Sequence, residues 1–273
     1  MTPRNCGSVE AVLLRAALAA LLLLTGCAAD ETAGAIAARH RLAERQVPGD
    51  GFTQLVYESA GSGVEPDVLD IYLEGDGIPW SAPDHVAADP TPRRALALEL
   101  MAADPGPSLY LGRPCYFGHA ADPGCGKALW TDRRYGTEVL RSLAVIIARE
   151  RAGRRIRLIG YSGGGALAAL LAARVPGVVG LVTIAADLDV AAWARWHGYT
   201  PLTGSLDPAD EPLPAVAAQH LIGDRDEEVP QASAARYLDR LPPAEIRHFA
   251  DFDHRCCWAA VWPEVIRDVR AGR

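Results

Sequence analysis

Short apolar runs alternate with segments of helical periodicity along the chain from about residue 52 onward. The runs are rich in Val, Ile and Leu and are bounded by turn residues, which is typical of buried strands. They predict strands at 52–58, 68–73, 108–111, 156–159, 178–184, 219–222 and 246–249. Between them, apolar positions at helical spacing, together with capping and helix-breaking residues, predict helices at 92–103, 131–152, 162–174, 231–241 and 258–269.

This alternation of strands and helices sets the expected fold class. Strands connected through helices pair in parallel, and the helices then cover both faces of the sheet. We therefore expect an α/β protein with a mostly parallel central sheet. The segment 187–214 follows a central strand, contains Trp193, Trp196 and several prolines, and has no clear period. Two interpretations stay open for it: a small lid-like insertion over a substrate pocket, or a packed surface elaboration.

The first 26 residues have a different pattern from the rest of the chain. Arg4 and Arg15 precede an apolar run at 16–24, which is too short to cross a bilayer and is typical of a secretory signal. The run ends in Leu24-Thr25-Gly26-Cys27, which resembles the lipobox of bacterial lipoproteins. The resemblance implies that Cys27 is lipidated and that the protein is exported and anchored at the periplasmic side of a cell-envelope membrane. An ordinary secretory signal with a chance cysteine is the alternative.

Residues 27–50 are rich in Ala and in charged residues and show no strand alternation. The turn residues Pro48-Gly49-Asp50-Gly51 close the segment. We interpret it as a tether, with one short helix near 36–46, and we expect the folded domain at 51–273.

The segment Gly160-Tyr161-Ser162-Gly163-Gly164 matches the pattern G-x-S-x-G. A predicted buried strand leads into it, and a predicted helix of small residues leads out, as a nucleophile elbow requires. Such a turn exposes its serine above a helix N-terminus, which stabilises developing negative charge. Ser162 is therefore the candidate nucleophile; a glycine-rich helix cap without chemistry is the alternative.

These elements and this motif resemble the α/β-hydrolase family. In that family the nucleophile, the acid and the histidine of the catalytic triad follow one another along the chain, and the acid commonly lies in the pattern Gly, two residues, Asp, two residues, Val-Pro. The segment from Gly223 to Pro230 matches this pattern at Asp226. The rival carboxylates next to it are Asp224, Glu227 and Glu228.

The family's histidine lies in the loop after the last strand, and this position is occupied by His254. The resemblance therefore implies a triad of Ser162, Asp226 and His254. His254 would accept the proton of Ser162, and Asp226 would orient the imidazole and stabilise its charged form.

A tetrahedral oxyanion needs donors that are already in place. The family supplies one from the residue after the nucleophile, here the N–H of Gly163. The second comes from the loop after the strand at 68–73, which reads Glu74-Gly75-Asp76-Gly77. The family usually has His-Gly here, so Glu74 departs from the pattern, and its carboxylate would oppose catalysis unless it points away. Gly75 is retained, and the resemblance implies the Asp76 N–H as donor; an ordinary Gly-Asp-Gly turn is the alternative.

Removal of the signal and lipidation of Cys27 would leave four other cysteines, and export favours disulfides between them. Three pairings exist for Cys115, Cys125, Cys256 and Cys257. We favour Cys115 with Cys125, because they flank a short loop. That leaves Cys256 and Cys257 as a vicinal bridge or two thiols, while the crossed pairings stay open. The spacing does not suit zinc, and we expect no metal and no cofactor.

Composition narrows the choice of partner. The chain of 273 residues has a formal net charge of −7, with Lys127 as its single lysine and its arginines scattered. This gives no electrostatic reason to expect nucleic-acid binding. We expect a small-molecule acyl substrate and an ester hydrolase. A peptidase or thioesterase with the same triad is the alternative, as is a membrane-anchored binding protein without turnover.

Overall fold

A computed structural model of the protein describes residues 32–61 and 67–272. Its centre is an eight-stranded sheet formed by β1 Ala43–Pro48, β2 Thr53–Ser59, β3 Val68–Leu73, β6 Ser108–Leu111, β7 Arg155–Tyr161, β8 Val178–Ile184, β9 Ala217–Gly223 and β10 Ile246–Phe249. These strands lie in the order β1-β2-β6-β3-β7-β8-β9-β10. Strand β2 is antiparallel to both of its neighbours, and the six strands from β6 to β10 in this order are parallel to one another.

Helices cover both faces of this sheet, as the alternating pattern predicts. They are α1 Ala33–His40, α2 Leu96–Ala102, α3 Thr137–Glu150, α4 Gly163–Ala172, α5 Val190–Trp196, α6 Ala235–Leu238 and α7 Trp258–Arg270. Short 3₁₀ segments lie at Lys127–Trp130, Pro208–Asp210, Gln231–Ala234 and Pro243–Glu245, and a small hairpin is formed by β4 Trp80–Ala82 and β5 His85–Val86. The fold is therefore the expected α/β class with a mostly parallel sheet.

Two hydrophobic cores lie on the two faces of the sheet, because successive side chains of a strand point in opposite directions. On β3, Ile71 packs with α3 and α4, whereas Tyr72 packs with α1, α2 and α7. The strands β3 and β7 are buried along almost their whole length, which explains why most of their residues are apolar.

The carboxyl ends of the central strands meet at one edge of the sheet. Leu73 at the end of β3 pairs with Leu111 of β6 and with Gly160 of β7, and Gly160 pairs with Thr183 of β8. Loops that follow these strands therefore converge, and this edge is where an open α/β sheet binds its ligands.

The interpretation of 27–50 as a tether does not hold for residues 33–48. Ile36 of α1 is fully buried, and β1 pairs with β2 over six residues, with only Val47 buried along the strand. Residues from Thr32 onward therefore belong to the same compact unit as the sheet, so that unit is not confined to residues 51–273. An edge strand with mostly exposed side chains has no alternation that a sequence pattern could detect.

Segment 187–214 contains α5 and the 3₁₀ turn Pro208–Asp210 and is fastened at several points. Asp207 accepts hydrogen bonds from the N–H groups of Val190 and Ala191 at the start of α5. The Arg236 guanidinium forms ion pairs with Asp189, Asp207 and Asp210. The structure thus shows a folded insertion held to the body of the domain.

Cys27, the residues 1–26 expected as a signal, and the start of the expected tether lie outside the described residues. Within 32–61 and 67–272, no helix is both long and apolar enough to cross a membrane.

Candidate active site

Ser162 lies in a sharp turn between the end of β7 and the start of α4, with φ of 53° and ψ of −127°. A non-glycine residue with this backbone is strained and has to be held by its surroundings. A side chain on Gly160 would overlap the carbonyl oxygen of Gly164, and one on Gly164 would overlap the carbonyl oxygen of Leu73. The glycines of the G-x-S-x-G pattern therefore let α4 approach β7 and β3 closely enough to form the turn.

The predicted triad residues form one chain of contacts. His254 Nε2 is 3.1 Å from Ser162 Oγ, and His254 Nδ1 is 2.9 Å from Asp226 Oδ2. Asp226 is itself held by the backbone, because its Oδ1 accepts hydrogen bonds from the N–H groups of Glu228 and Val229. The three residues come from the loops after β7, β9 and β10, so the converging edge of the sheet brings them together.

The pKa of His254 is raised above its usual value. Burial acts to lower it, but the hydrogen bond and the charge of Asp226, with a smaller contribution from the charge of Glu228, outweigh burial. An imidazolium formed at this position is thus stabilised by its carboxylate neighbours, as a base that accepts the proton of a serine requires.

Two of the rival carboxylates have other partners. Asp224 contacts His248 Nδ1 at 2.8 Å, and Glu228 forms an ion pair with Arg255 at 3.1 Å. Glu228 also lies 3.8 Å from His254 Nε2, on the side of the ring that faces Ser162 and not on the side of Asp226.

The His254 loop is fixed by the aromatic residues around it. Trp258, at the start of α7, donates from Nε1 to the carbonyl oxygen of His254 at 3.0 Å, and its ring packs edge-on against Phe249 and Phe252. The Tyr161 ring lies 5.1 Å from the imidazole ring, centre to centre.

The loop after β3 lies directly against the serine. A Cβ added to Gly75 would be 3.2 Å from Ser162 Cβ, so a larger residue would crowd Ser162. Glu74 is buried and turns away from the site. Its carboxyl accepts hydrogen bonds from the N–H groups of Gly75 and of Ala97 at the start of α2, both at 3.1 Å. Burial raises the pKa of Glu74 to about 8, against the opposing effect of these backbone donors.

Asp76 is the centre of a buried charged cluster behind Ser162, formed by Asp76, Arg113, Arg134, Tyr135 and Asp187. Arg113 Nη1 donates to Asp76 Oδ1, and Arg134 Nη1 donates to Asp76 Oδ2 at 2.6 Å. Tyr135 Oη lies 2.8 Å from Asp76 Oδ2 and 3.2 Å from Asp187 Oδ2. Burial opposes ionisation of Asp76, but the two guanidinium groups outweigh it and lower its pKa to about 2.

This cluster packs directly on the start of α4. A side chain on Gly163 would overlap the carboxylate of Asp76 and come within 2.6 Å of Tyr135 Oη. The backbone of Asp76 is also fixed, because its carbonyl oxygen accepts a hydrogen bond from Tyr116 Oη at 2.9 Å.

No family model and no curated protein matches this chain. Several solved structures, however, are similar to this chain. An esterase from Pyrococcus furiosus is 14% identical, with a TM-score of 0.57 and coverage of 86% of this chain and 93% of the esterase. Mouse alpha/beta hydrolase domain-containing protein 10 is also 14% identical, with a TM-score of 0.57 and coverage of 84% and 98%. A bacterial membrane phospholipase A is 18% identical, with a TM-score of 0.53 and 96% of each chain covered.

This protein has the α/β-hydrolase fold. At the carboxyl edge of this sheet the structure brings Ser162, Asp226 and His254 together, and the Asp76 carboxylate lies against Gly163, the residue after the serine. In the described residues, no group of three or more His, Cys, Asp or Glu side chains is placed to hold a metal ion.

Only Asp76 among the members of the buried cluster was predicted from the sequence. The other four, which are Arg113, Arg134, Tyr135 and Asp187, were not predicted. Arg113 and Asp187 each follow a central strand by two or three residues, so their position at the carboxyl edge is a signal that could have found them. Arg134 and Tyr135 lie in the turn before α3, inside the helix predicted at 131–152, and no local pattern distinguishes them.

The cysteines form the local pairs. Cys115 is bonded to Cys125, with a Cα–Cα distance of 5.6 Å, and Cys256 is bonded to Cys257. The crossed pairings are therefore wrong. The first bridge closes the loop just after Arg113, and the second lies in the loop that carries His254.

Proposed function

We propose that this protein is a serine hydrolase that cleaves a carboxylic ester, or a related acyl bond, through an acyl-enzyme intermediate. The observation that carries the proposal is the continuous contact from Asp226 through His254 to Ser162 at the carboxyl edge of the sheet. A nucleophile, a base within reach of it and a group that orients the base are the parts that acyl transfer needs.

In the first step, Ser162 Oγ attacks the carbonyl carbon while His254 Nε2 takes the hydroxyl proton. Asp226 stays ionised and stabilises the imidazolium through Nδ1. Collapse of the tetrahedral intermediate breaks the bond to the leaving group, which receives the proton from His254. A water molecule then attacks the acyl-enzyme with His254 again as base, and this releases the acid and restores the Ser162 hydroxyl.

We assign the oxyanion to the N–H groups of Gly163 and Asp76. The Gly163 N–H is in the first turn of α4, where helical N–H groups have no acceptor within the helix. The Gly75 N–H is already taken by Glu74, which leaves Asp76 as the donor from this loop. Because the Glu74 carboxyl is directed at α2, the departure from the family pattern leaves the serine without an opposing charge from this side chain.

Labelling with a fluorophosphonate tests the nucleophile, because the reagent requires an activated serine. Wild type should be labelled and Ser162→Ala should not. Ser81→Ala, at an exposed serine, is the matched control and should be labelled as wild type is. Absence of labelling in wild type would overturn the catalytic proposal and favour a binding protein on a hydrolase scaffold.

The choice of an ester substrate is supported by the names of two structural neighbours, an esterase and a phospholipase A. A series of 4-nitrophenyl esters of increasing acyl length, assayed beside peptide and thioester substrates, separates the alternatives. We expect the highest kcat/KM on an ester. A higher value on peptides or thioesters would replace the ester assignment while keeping the triad.

We also infer that the mature protein is exported and held at a membrane surface by a lipid on Cys27. The sequence resemblance at 24–27 supports this, and the Cys115–Cys125 disulfide suits an oxidising compartment. Cys27→Ser should move the protein from the membrane fraction to the soluble fraction, whereas Cys6→Ser should leave it in place. Membrane association that is unchanged in Cys27→Ser would refute the anchor.

A further inference from the structure

The Asp187 carboxyl has no role in the triad, yet it lies beside it. It follows β8 by three residues, is 2% exposed, and its N–H lies 3.4 Å from the carbonyl oxygen of Ser162. The charged and titratable groups around it come from three other loops: Asp76 after β3, Arg134 and Tyr135 before α3, and His254 after β10. Its protonation state therefore affects Ser162, His254 and the loop 74–77, named here the oxyanion loop because it contains the proposed donor Asp76.

If Asp76 and Asp187 were both ionised, this cluster would lack a proton for one of its hydrogen bonds. Tyr135 has one hydroxyl proton, but its oxygen lies within hydrogen-bond distance of Asp76 Oδ2 and of Asp187 Oδ2. If both aspartates were ionised, one of these two oxygen pairs would face each other without a proton between them. Asp76 is paired with two guanidinium groups and is the ionised one. The missing proton therefore belongs to Asp187.

The other oxygen of Asp187 leads to the same assignment. Oδ1 is buried and has no hydrogen-bond partner within the described part of the chain. A buried oxygen without a partner is costly, and far more so on an anion than on a neutral acid. Consistent with this, burial and the adjacent Asp76 carboxylate raise the pKa of Asp187 to about 7, against the effects of His254 and Arg134.

We propose that Asp187 is a positioning residue that acts in its protonated form, through a chain in which Asp187 donates to Tyr135 and Tyr135 donates to Asp76. This chain fixes the loop whose Asp76 N–H stabilises the oxyanion, and it keeps a second negative charge away from Ser162. The inference rests on the proposed hydrolase function. Loss of the Asp187 proton breaks the chain and places an anion beside the developing oxyanion.

The pH dependence of kcat/KM follows from the protonation states that His254 and Asp187 need. His254 must be neutral to accept a proton, so kcat/KM rises as pH passes upward through its pKa. Asp187 must be protonated, so activity falls as pH passes upward through the pKa of Asp187. Ionised Asp187 would also stabilise the imidazolium of His254 further. We therefore expect a bell-shaped profile whose alkaline limb belongs to Asp187.

Two variants test the proposal, with 4-nitrophenyl butyrate as substrate. The enzyme preparation is one in which an aliquot has been shown to react with the fluorophosphonate. Asp187→Asn can still donate to Tyr135 and is neutral at every pH. It should keep kcat near pH 6.5 within about threefold of wild type and should lose the alkaline limb. Asp187→Ala cannot donate, and its kcat should fall at least tenfold across the pH range with KM changed less than threefold.

Asp189→Asn is the matched control, because Asp189 is a buried aspartate two residues further on that is paired with Arg236. It should keep the alkaline limb. An alkaline limb that persists in Asp187→Asn, or wild-type kcat in Asp187→Ala, would overturn the proposal.

The proton itself has a readout that does not depend on turnover. The infrared difference spectrum of wild type minus Asp187→Asn near pH 6 should contain the carbonyl band of a protonated carboxyl group. A carboxylate signal in its place would refute the assignment even if the enzyme is active. If the band is present but wild type neither reacts with the fluorophosphonate nor hydrolyses 4-nitrophenyl butyrate, the proposed function has failed while the protonation of Asp187 stands.

Discussion

Among the neighbouring carboxylates after β9, hydrogen-bond geometry separates one from the others. Asp226 and Asp224 both contact a histidine at a similar distance, His254 and His248 respectively. Only Asp226 is buried, and it also accepts two backbone N–H groups that fix its orientation. In the proposed triad Asp226 holds the imidazole in one tautomer, and these backbone contacts hold Asp226 itself.

This contrast predicts different effects for two otherwise similar substitutions. Asp226→Asn keeps the size of the side chain but removes the charge that stabilises imidazolium, so kcat should fall by about 10⁴-fold. Asp224→Asn alters an exposed pair and should leave kcat within about twofold of wild type. Steady-state kinetics on the same ester measures both. Equal losses in the two variants would mean that the triad acid is wrongly assigned.

At the scale of elements, the site depends on close packing of α4 against two strands. Gly164 lies where a Cβ would overlap the carbonyl oxygens of Leu73 and Glu74, the last residue of β3 and the first of the oxyanion loop. Backbone atoms cannot move aside as a flexible side chain can. The elbow and the oxyanion loop are therefore positioned by the same contact.

Gly164→Ala should consequently affect both stability and catalysis. We expect the free energy of unfolding to fall by about 2 kcal/mol, as for other overpacked sites, and kcat to fall more than tenfold. Gly126→Ala is the control, since a Cβ there meets nothing within 4 Å. Denaturant melts and ester kinetics measure the two effects. Wild-type behaviour of Gly164→Ala would show that α4 is free to shift.

Elements with a local sequence pattern could be predicted, whereas contacts that depend on the tertiary fold could not. Central strands and the elbow have local patterns: a mostly apolar stretch for β7, and glycines where α4 must approach. Strand β1 has no such pattern, because its residues Ala43–Pro48 lie at an edge and only Val47 is buried. The pairing of Arg134 with Asp76 spans 58 positions and depends on the three-dimensional approach of two loops. No local signal records such a contact.

At the scale of the whole molecule, buried carboxyls tie stability to pH. Burial raises the pKa of Glu74 to about 8 and that of Asp187 to about 7, whereas these groups ionise near 4.5 and 3.8 without the fold. Over the intervening pH range the native state binds more protons than the unfolded chain, so the free energy of unfolding falls as pH rises. His220 acts in the opposite direction between about pH 4 and 6.5, because burial lowers its pKa to about 4.

The contribution of Glu74 can be isolated by comparing slopes. Between pH 5 and 8 it should lower the stability of wild type by up to about 1.4 kcal/mol per pH unit, whereas Glu74→Gln cannot ionise and should show a shallower decline. Glu264→Gln, at a side chain that is 65% exposed, is the matched control and should run parallel to wild type. Urea unfolding at fixed pH values gives these slopes.

Glutamine also alters the hydrogen bonds to Ala97 and Gly75, so the stability curves of wild type and Glu74→Gln will be offset, and the slope is the informative quantity. A Glu74→Gln curve parallel to wild type would mean that Glu74 is ionised in the native protein, held as an anion by the backbone donors at the start of α2.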